Sequence, residues 1–192
     1  MAQSTKTNTF FDYGITSRHD THQKQFYLLN QVHGTTLIHI DQPYASNTSF
    51  TADASYTTKP GIILGIKTAD CLPILIANPP YFVAAIHAGR KGTESNILSK
   101  TLQTLQAKHP FSTPLWVWFG PHICEKCYQI DQKTDTHYSL YQNNKKELDS
   151  LDIPYTLKHH PDCTYCNEKN WYSYRAQGPK TGRNISWITL MT

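Results

Sequence analysis

Three short segments of the sequence each place a metal-binding side chain at the end of an apolar, strand-like run. The segments are Gln-Val-His-Gly with His33, Thr-Ala-Asp-Cys-Leu-Pro with Cys71, and Ile-His-Ala-Gly with His87. Two imidazoles and one thiolate could hold zinc in three positions and leave a fourth open, as in catalytic zinc sites. An open position can bind water or polarise a substrate oxygen. These residue types therefore indicate a candidate catalytic zinc site.

The spacing of the three residues does not by itself distinguish a metal site from ordinary packing. They lie 38 residues (33 to 71) and 16 residues (71 to 87) apart, which matches no compact metal-binding motif. A lone histidine or cysteine at a strand end is commonly a packed or surface side chain. The zinc site is therefore a hypothesis that the fold must support.

The other four cysteines form two Cys-x-x-Cys pairs. Cys124 pairs with Cys127, and Cys163 pairs with Cys166. Neighbouring thiolates can bind one metal together, so the four could form a closed structural zinc site. The 35 residues between the pairs exceed the usual zinc-ribbon spacing, and buried thiols remain the alternative.

The composition restricts the class of protein. The 192 residues are 39% hydrophobic and include 18 Lys and Arg against 14 Asp and Glu, a net charge of +4. This apolar content can build a core, and the weak positive charge does not favour nucleic-acid binding. No apolar run is long enough to span a bilayer, and the polar N-terminus has no stretch of signal-peptide type. We therefore expect a cytoplasmic protein with one domain over residues 1–192 and a flexible segment at 1–12.

Apolar runs and turn residues predict the elements that must position these side chains. Helices are expected at 94–108, with Thr93 as the N-cap, and at 136–148. The runs at 62–67, 72–77 and 81–87 are almost continuously apolar, as in strands covered on both faces. Because strands and helices mix without regular alternation, we expect an α/β or α+β fold with mixed β-sheets and helices on the outer faces. Further extended segments are predicted at 26–40, 115–119, 127–130, 171–175 and 185–190.

Several short motifs follow one another in a fixed order from about Ile15 to the C-terminus. They are Asp53-Ala54 before the Thr-Ala-Asp-Cys block, His87-Ala88-Gly89, Gly120-Pro121, Cys163-Thr164-Tyr165-Cys166, Tyr172-Ser173-Tyr174-Arg175 and Thr181-Gly182-Arg183. With these motifs the sequence resembles the YfiH-type family. Its members have been described as laccase-domain or multicopper polyphenol oxidases and later as purine nucleoside phosphorylases with adenosine deaminase activity. The resemblance implies a YfiH-like layered fold.

The same resemblance implies a zinc-dependent purine nucleoside phosphorylase. Its substrates would be phosphate and adenosine, inosine, guanosine or methylthioadenosine, with adenosine deamination as a further activity. By position, His33, Cys71 and His87 match the zinc ligands of the family, at the mouth of a purine-nucleoside pocket. Arg18, in Ile-Thr-Ser-Arg, resembles an arginine that lines the same pocket.

Phosphorolysis also needs cations that hold the attacking phosphate. Asp70 stands beside Cys71 and could orient a ligand or act as a general base. Arg175 and Arg183 match recurrent arginines of the family and either contact the ligand or stabilise the fold. The cations nearest to the predicted ligands in the sequence, and hence the predicted phosphate-binding residues, are Arg18, Lys67, Arg90 and Lys91.

Two other functions use the same residues. Cys71 as a nucleophile with His87 as its base would make a thiol hydrolase or amidase without a metal. Copper-dependent polyphenol oxidation is the third possibility, but the sequence contains no His-x-His pair of the kind that multicopper oxidases need. Zinc is therefore the predicted cofactor, ahead of copper.

Overall fold

Strands predominate in the part of the chain that the computed structural model describes, residues 10–20, 25–42, 50–111 and 113–192. The strands are β1 (Phe11–Thr16), β2 (Tyr27–Leu28), β3 (Leu37–His39), β4 (Ala54–Thr57), β5 (Leu64–Thr68), β6 (Leu72–Asn78), β7 (Phe82–Ala88), β8 (Leu115–Phe119), β9 (Gln129–Asp131), β10 (Thr136–His137), β11 (Tyr155–His159) and β12 (Asn184–Leu190). The helices are α1 (Arg90–Glu94), α2 (Ile97–Lys108), α3 (Leu140–Asp149) and α4 (Tyr174–Gln177), and a 3₁₀ turn spans Glu125–Cys127.

A six-stranded mixed sheet forms the centre of the fold, with the strand order β11-β8-β6-β7-β4-β3. Its middle strands, β6 and β7, are antiparallel, and every residue in them is buried. This confirms the prediction that these nearly continuous apolar runs are covered on both faces.

The alternation of side chains along β6 shows what covers each face. Ile74 and Ile76 pack in one apolar cluster with Leu98 and Leu102 of α2, whereas Leu75 belongs to a second cluster. That second cluster includes residues of a four-stranded sheet with the order β1-β12-β5-β2. The layers are therefore helices, the six-stranded sheet and the four-stranded sheet, in agreement with the expected mixed α/β class. None of the helices in the described ranges is both long and apolar enough to cross a membrane.

Two predicted helices begin later than their sequence pattern indicates. The helix predicted at 94–108 begins at Ile97, because Asn96 has a left-handed φ of 59° and separates α2 from the short α1. The helix predicted at 136–148 begins at Leu140, because the preceding residues form β10 and the Ser139 side chain caps the helix. Ser139 Oγ accepts a hydrogen bond from the Gln142 backbone N–H at 3.2 Å.

The strand predicted at 171–175 is wrong. Its aromatic residues favour a strand, but Ser173 Oγ accepts from the Ala176 backbone N–H at 3.2 Å and starts α4. The Asn184 side chain also bonds both backbone groups of Tyr172 at 3.0 Å, in place of a strand partner.

The flexible segment expected at 1–12 falls mostly outside the described residues, since 1–9 are not described. Phe11 and Asp12, however, belong to β1 and pair with Leu190 and Thr189 of β12. Phe11 is fully buried in the second apolar cluster, so burial of this ring holds the end of the segment in the sheet.

Candidate functional site

The β6–β7 pairing brings Cys71 and His87 to the same end of the central sheet. Leu72 lies opposite Ala88 and Pro73 lies opposite His87, so Cys71, just before β6, is close to the end of β7. His33 comes from the loop between β2 and β3, where its backbone has a left-handed φ of 62°. Residues far apart in the sequence therefore meet where the β2–β3 loop lies beside the start of β6 and the end of β7.

The donor atoms of these three side chains have the spacing of a metal site. The ligand atoms of His33, Cys71 and His87 all lie within 4.8 Å of one another, and Cys71 Sγ is 3.8 Å from His33 Nε2. Zinc bonds of about 2.3 Å to sulfur and about 2.0 Å to nitrogen would place the two atoms about 3.5 Å apart in a tetrahedral site. The donor set and its spacing therefore fit a zinc ion with three protein ligands.

Asp53 organises two of the three side chains. Its Oδ1 accepts hydrogen bonds from His87 Nδ1 at 2.8 Å and from the His33 backbone N–H at 2.9 Å, and its Oδ2 accepts from the Gly34 N–H at 2.7 Å. Burial raises the pKa of this carboxyl, but the bonds from His87 and Gly34 outweigh burial and lower it. An ionised Asp53 keeps the His87 proton on Nδ1 and leaves Nε2 for a metal.

Sequence reasoning did not assign a role to Asp53, although it noted the Asp53-Ala54 motif. The residue is fully buried between Ala52 and Ala54. A carboxylate among small apolar residues at the start of a strand must be paired, and that is the signal that could have identified it.

The imidazoles change the acidity of the cysteine. Burial raises the pKa of the Cys71 thiol, but hydrogen bonds with His33 and His87 outweigh burial and lower it to about 7. Burial lowers the pKa of His87, but its bonds with Asp53 and Cys71 raise it to about 9. Without a metal, a Cys71 thiolate and a His87 imidazolium therefore stabilise each other.

Gly89 leaves the space in which His33 and Cys71 approach each other. A Cβ at this position would lie 2.7 Å from His33 Cδ2 and 3.1 Å from Cys71 Sγ. We expect Gly89→Ala to lower zinc affinity at least about tenfold, because displaced ligands lose their geometry. Competition with a chelator of known affinity measures this. Gly34→Ala is the matched control, since its Cβ would meet Asp53 Oδ2 at 3.4 Å, an ordinary contact, and equal losses in both variants would contradict the interpretation.

A cavity of about 680 Å³ adjoins the three side chains, a volume typical of small-molecule sites. It has both aromatic and cationic residues in its wall, from the two sheets and from the loops on either side of them. Its lining residues include His33, Cys71, His87, Gln31, Lys67, Asp70, Tyr128, Tyr174, Arg175 and Arg183.

Of the four predicted phosphate-binding cations, Lys67 is among the residues that line this cavity. Arg18 lies elsewhere, with Nη1 donating to the Glu168 carbonyl at 2.8 Å and its guanidinium 5.2 Å from the Tyr172 ring centre. Arg90 pairs with Glu94 at 3.0 Å on α1, and Lys91 is exposed on the same helix. Arg18, Arg90 and Lys91 are therefore not among the described residues that line the cavity, although Arg90 interacts with Tyr128 of its wall.

The two C-terminal arginines do line the cavity. Arg175 Nη2 donates to the Gln129 carbonyl at 2.8 Å, and its guanidinium lies 5.7 Å from the Tyr128 ring centre. Arg183 Nη1 donates to the carbonyls of Thr181 and Gly182 at 2.8 and 2.9 Å. These bonds fix one nitrogen of each guanidinium, so each arginine has further N–H groups with which to meet an anion.

Asp70 connects the cysteine to the far side of the cavity. Its Oδ1 accepts from the Thr164 hydroxyl and its Oδ2 from the Arg175 backbone N–H, both at 2.7 Å. The residue has a left-handed φ of 94°, which turns the chain immediately before Cys71. Both carboxylate oxygens thus serve protein groups, which favours a positioning role over proton transfer.

The other four cysteines also meet. The sulfur atoms of Cys124, Cys127, Cys163 and Cys166 all lie within 4.8 Å of one another. None of the four lines the cavity beside Cys71, in the part of the chain that is described.

Comparisons with known proteins agree with this fold. The chain matches the family model described as multi-copper polyphenol oxidoreductase laccase over residues 14–138 and 131–191. The purine nucleoside phosphorylase YfiH of Escherichia coli (strain K12) is 30% identical over 185 residues, covering 85% of this chain and 73% of the relative.

Two solved structures share the fold. YlmD from Geobacillus stearothermophilus has a TM-score of 0.84 at 21% identity, covering 95% of this chain and 92% of the other. The hypothetical protein YfiH of Bacillus licheniformis has a TM-score of 0.78 at 21% identity, covering 94% and 92%. At this level of identity the two structures support the fold alone.

Proposed function

The chain belongs to the YfiH-type family, whose model is described as multi-copper polyphenol oxidoreductase laccase, and from this membership we propose a zinc-dependent purine nucleoside phosphorylase. Relatives at about 30% identity are named purine nucleoside phosphorylases, which supports a phosphorylase-like role at the level of the family. The observation that carries the proposal is the cavity of about 680 Å³ in which two histidines and a cysteine adjoin cationic and aromatic residues.

His33, Cys71 and His87 are the residues that would hold the metal. When bound, zinc would supply Lewis acidity that polarises an oxygen of the substrate. Asp53 would keep His87 in the tautomer and orientation that the metal needs, and it would hold the His33 loop through backbone N–H groups.

In phosphorolysis, a phosphate oxygen forms a bond to the anomeric carbon of the ribose while the bond to the purine nitrogen breaks. The products are the free purine, which takes up the proton that the phosphate loses, and ribose 1-phosphate, or 5-methylthioribose 1-phosphate from methylthioadenosine. Lys67, Arg175 and Arg183 would hold the phosphate anion beside the sugar, since positioned cations stabilise the reacting charges. The rings of Tyr128 and Tyr174 offer faces on which a purine could stack.

The cavity supports adenosine deamination less well. Attack of water at carbon 6 of adenine uses a carboxylate that moves protons to and from the base. Among the described residues that line the cavity, Asp70 is the one carboxylate, and both of its oxygens already accept hydrogen bonds. We therefore propose that deamination is slower than phosphate-dependent cleavage.

The activity is tested with purified, zinc-loaded protein. Adenosine, inosine, guanosine and methylthioadenosine would each be incubated with and without phosphate. The free base, the sugar 1-phosphate and any inosine formed from adenosine would be separated by chromatography. We expect base release that depends on phosphate. Cleavage that is independent of phosphate, or no turnover of any of the four nucleosides, would overturn the proposal.

Lys67 provides a specific prediction about phosphate binding. We expect Lys67→Met to raise the KM for phosphate about tenfold, because a hydrogen bond to a charged group contributes about 1.5–3 kcal/mol. Lys91→Met is the matched control, since sequence position predicts the same role for both lysines but Lys91 lies outside the described cavity wall. Initial rates at varied phosphate concentration decide between them. A larger KM increase in the Lys91 variant would contradict this assignment.

A thiol hydrolase is the second candidate, and the acidity of Cys71 favours it. A pKa of about 7 for Cys71 and about 9 for His87 describes a nucleophilic thiolate beside an imidazolium when no metal is bound. Treatment with a zinc chelator distinguishes the candidates, because a thiol enzyme keeps its activity and a zinc enzyme loses it.

Reconstitution with copper and a phenolic substrate tests the oxidase that the family description names.

A further inference from the structure

The two Cys-x-x-Cys pairs form a four-sulfur cluster outside the nucleoside cavity. In the first pair, Cys124 precedes the 3₁₀ turn Glu125–Cys127 and Cys127 ends it, and the second pair lies in the loop after β11. The two segments are joined by an isolated bridge between His122 and Cys163, with the Thr164 backbone N–H donating to the His122 carbonyl at 3.1 Å. The backbone therefore holds the pairs side by side.

The sulfur positions match a tetrahedral metal site better than a disulfide. All four Sγ atoms lie within 4.8 Å of one another, and Cys127 Sγ is 3.4 Å from Cys166 Sγ. Four zinc–sulfur bonds of about 2.3 Å would place the sulfurs about 3.8 Å apart. A disulfide needs about 2.0 Å, and all four cysteines are free.

Backbone N–H groups donate hydrogen bonds to a sulfur atom of the cluster, as they do to metal-bound thiolates. The Cys124 and Cys166 N–H groups both donate to Cys163 Sγ, at 3.2 and 3.5 Å. Donation to one sulfur from two amides stabilises negative charge on it. Two N–H donors aimed at one sulfur are of little use to a neutral thiol, which is a weak acceptor.

We propose that Cys124, Cys127, Cys163 and Cys166 bind one zinc ion in a closed structural site, separate from the His33–Cys71–His87 site. Binding would release four thiol protons and form four zinc–sulfur bonds, with no change of oxidation state. With four protein ligands no position is open, so this site has no part in the chemistry of the cavity.

The secondary-structure elements around the four-sulfur cluster are short. The 3₁₀ turn has no buried residue, and β9 and β10 are three and two residues long. Cys127 and Cys163 are half-buried against the main apolar cluster, whereas Cys166 is exposed, so apolar burial holds only one side of the four-sulfur cluster. Small elements without a core of their own are commonly held by a metal.

The cluster also supports one wall of the cavity. Thr164 lies between the two cysteines of the second pair and donates to Asp70 Oδ1 at 2.7 Å. Ile123, next to Cys124, donates its backbone N–H to the Asp70 carbonyl at 3.0 Å, and Tyr128 follows Cys127 directly. A metal in the cluster would thus fix the residues that hold Asp70 beside Cys71.

Zinc content and X-ray absorption spectroscopy of zinc-reconstituted protein test the proposal. We expect two zinc ions per wild-type chain and one in both Cys71→Ala and Cys124→Ser/Cys166→Ser. The decisive spectrum is that of Cys71→Ala, which should show zinc with four sulfur ligands at about 2.3 Å and no nitrogen. This measurement does not require the double variant to fold.

The outcomes separate this proposal from the phosphorylase. One zinc per wild-type chain with four sulfur ligands would support zinc binding by the four cysteines. It would contradict zinc binding by His33, Cys71 and His87. A Cys71→Ala protein that binds no zinc, or binds it without four sulfur ligands, would overturn the structural site and leave the phosphorylase proposal intact.

Discussion

Replacing Cys71 by alanine is expected to lower phosphate-dependent nucleoside cleavage at least about 1,000-fold, a loss of about 4 kcal/mol of transition-state stabilisation. The variant loses the one sulfur donor of the site, and the two remaining imidazoles cannot hold zinc in the same geometry. Lewis acidity contributes several kcal/mol to such reactions, so its removal sets the size of the effect. The rate of free purine release with zinc in excess measures it.

Cys71→Asp is the variant that separates a metal ligand from a nucleophile. A carboxylate can bind zinc in place of the thiolate, so we expect this variant to recover zinc and part of the rate. If Cys71 is instead a nucleophile, the aspartate variant stays as inactive as the alanine variant. Retention of more than a tenth of the wild-type rate by Cys71→Ala would contradict both roles.

Asp53→Asn is expected to weaken zinc binding by about 10–100-fold, the usual effect of removing a carboxylate that orients a ligating histidine. The carboxylate accepts from His87 Nδ1 and from backbone N–H groups of residues 32–34, and an amide cannot serve all of them. The loss of a buried charged acceptor is also expected to lower the free energy of unfolding by about 2 kcal/mol. Chelator competition and urea unfolding measure the two effects.

Asp70→Asn is the matched control for that experiment. Asp70 is also buried, but it accepts two hydrogen bonds where Asp53 accepts four, and its partners are Thr164 and the Arg175 backbone rather than a histidine. We expect a similar loss of stability with a smaller loss of zinc affinity. A larger effect on zinc affinity in the Asp70 variant would show that the sequence-based emphasis on Asp70 was right and that Asp53 is secondary.

The central strands could be predicted from the sequence because their signal is local. The runs that became β6, β7 and β8 are apolar along their length, so burial on both faces can be read directly. The exposed edge strand β11 lacks such a signal, since two of its five residues are half-buried and three are exposed. The strand predicted around Tyr172 was wrong because aromatic residues favour strands. The Ser173 side chain instead caps α4, a role that can be recognised only in the folded structure.

The metal-binding residues of the candidate site could be predicted from the sequence, but most of its cations could not. Residue type and the family resemblance identified His33, Cys71 and His87, but nearness in sequence was a poor guide to the cations. Arg90 follows His87 by three residues yet pairs with Glu94 along its own helix. Arg183 is 96 residues from His87 and still lines the cavity, because β12 pairs with β5 across the second sheet. Such long-range pairing is set by the tertiary fold and leaves no mark on local sequence.

Diffraction from crystals of the zinc-loaded protein, recorded on either side of the zinc absorption edge, tests the metal-site claim most directly. We predict an anomalous peak bonded to His33, to His87 and to the sulfur of Cys71, with a non-protein group in the fourth position. A zinc-loaded crystal without a peak there, or with the Cys71 sulfur beyond bonding distance of it, would contradict the account.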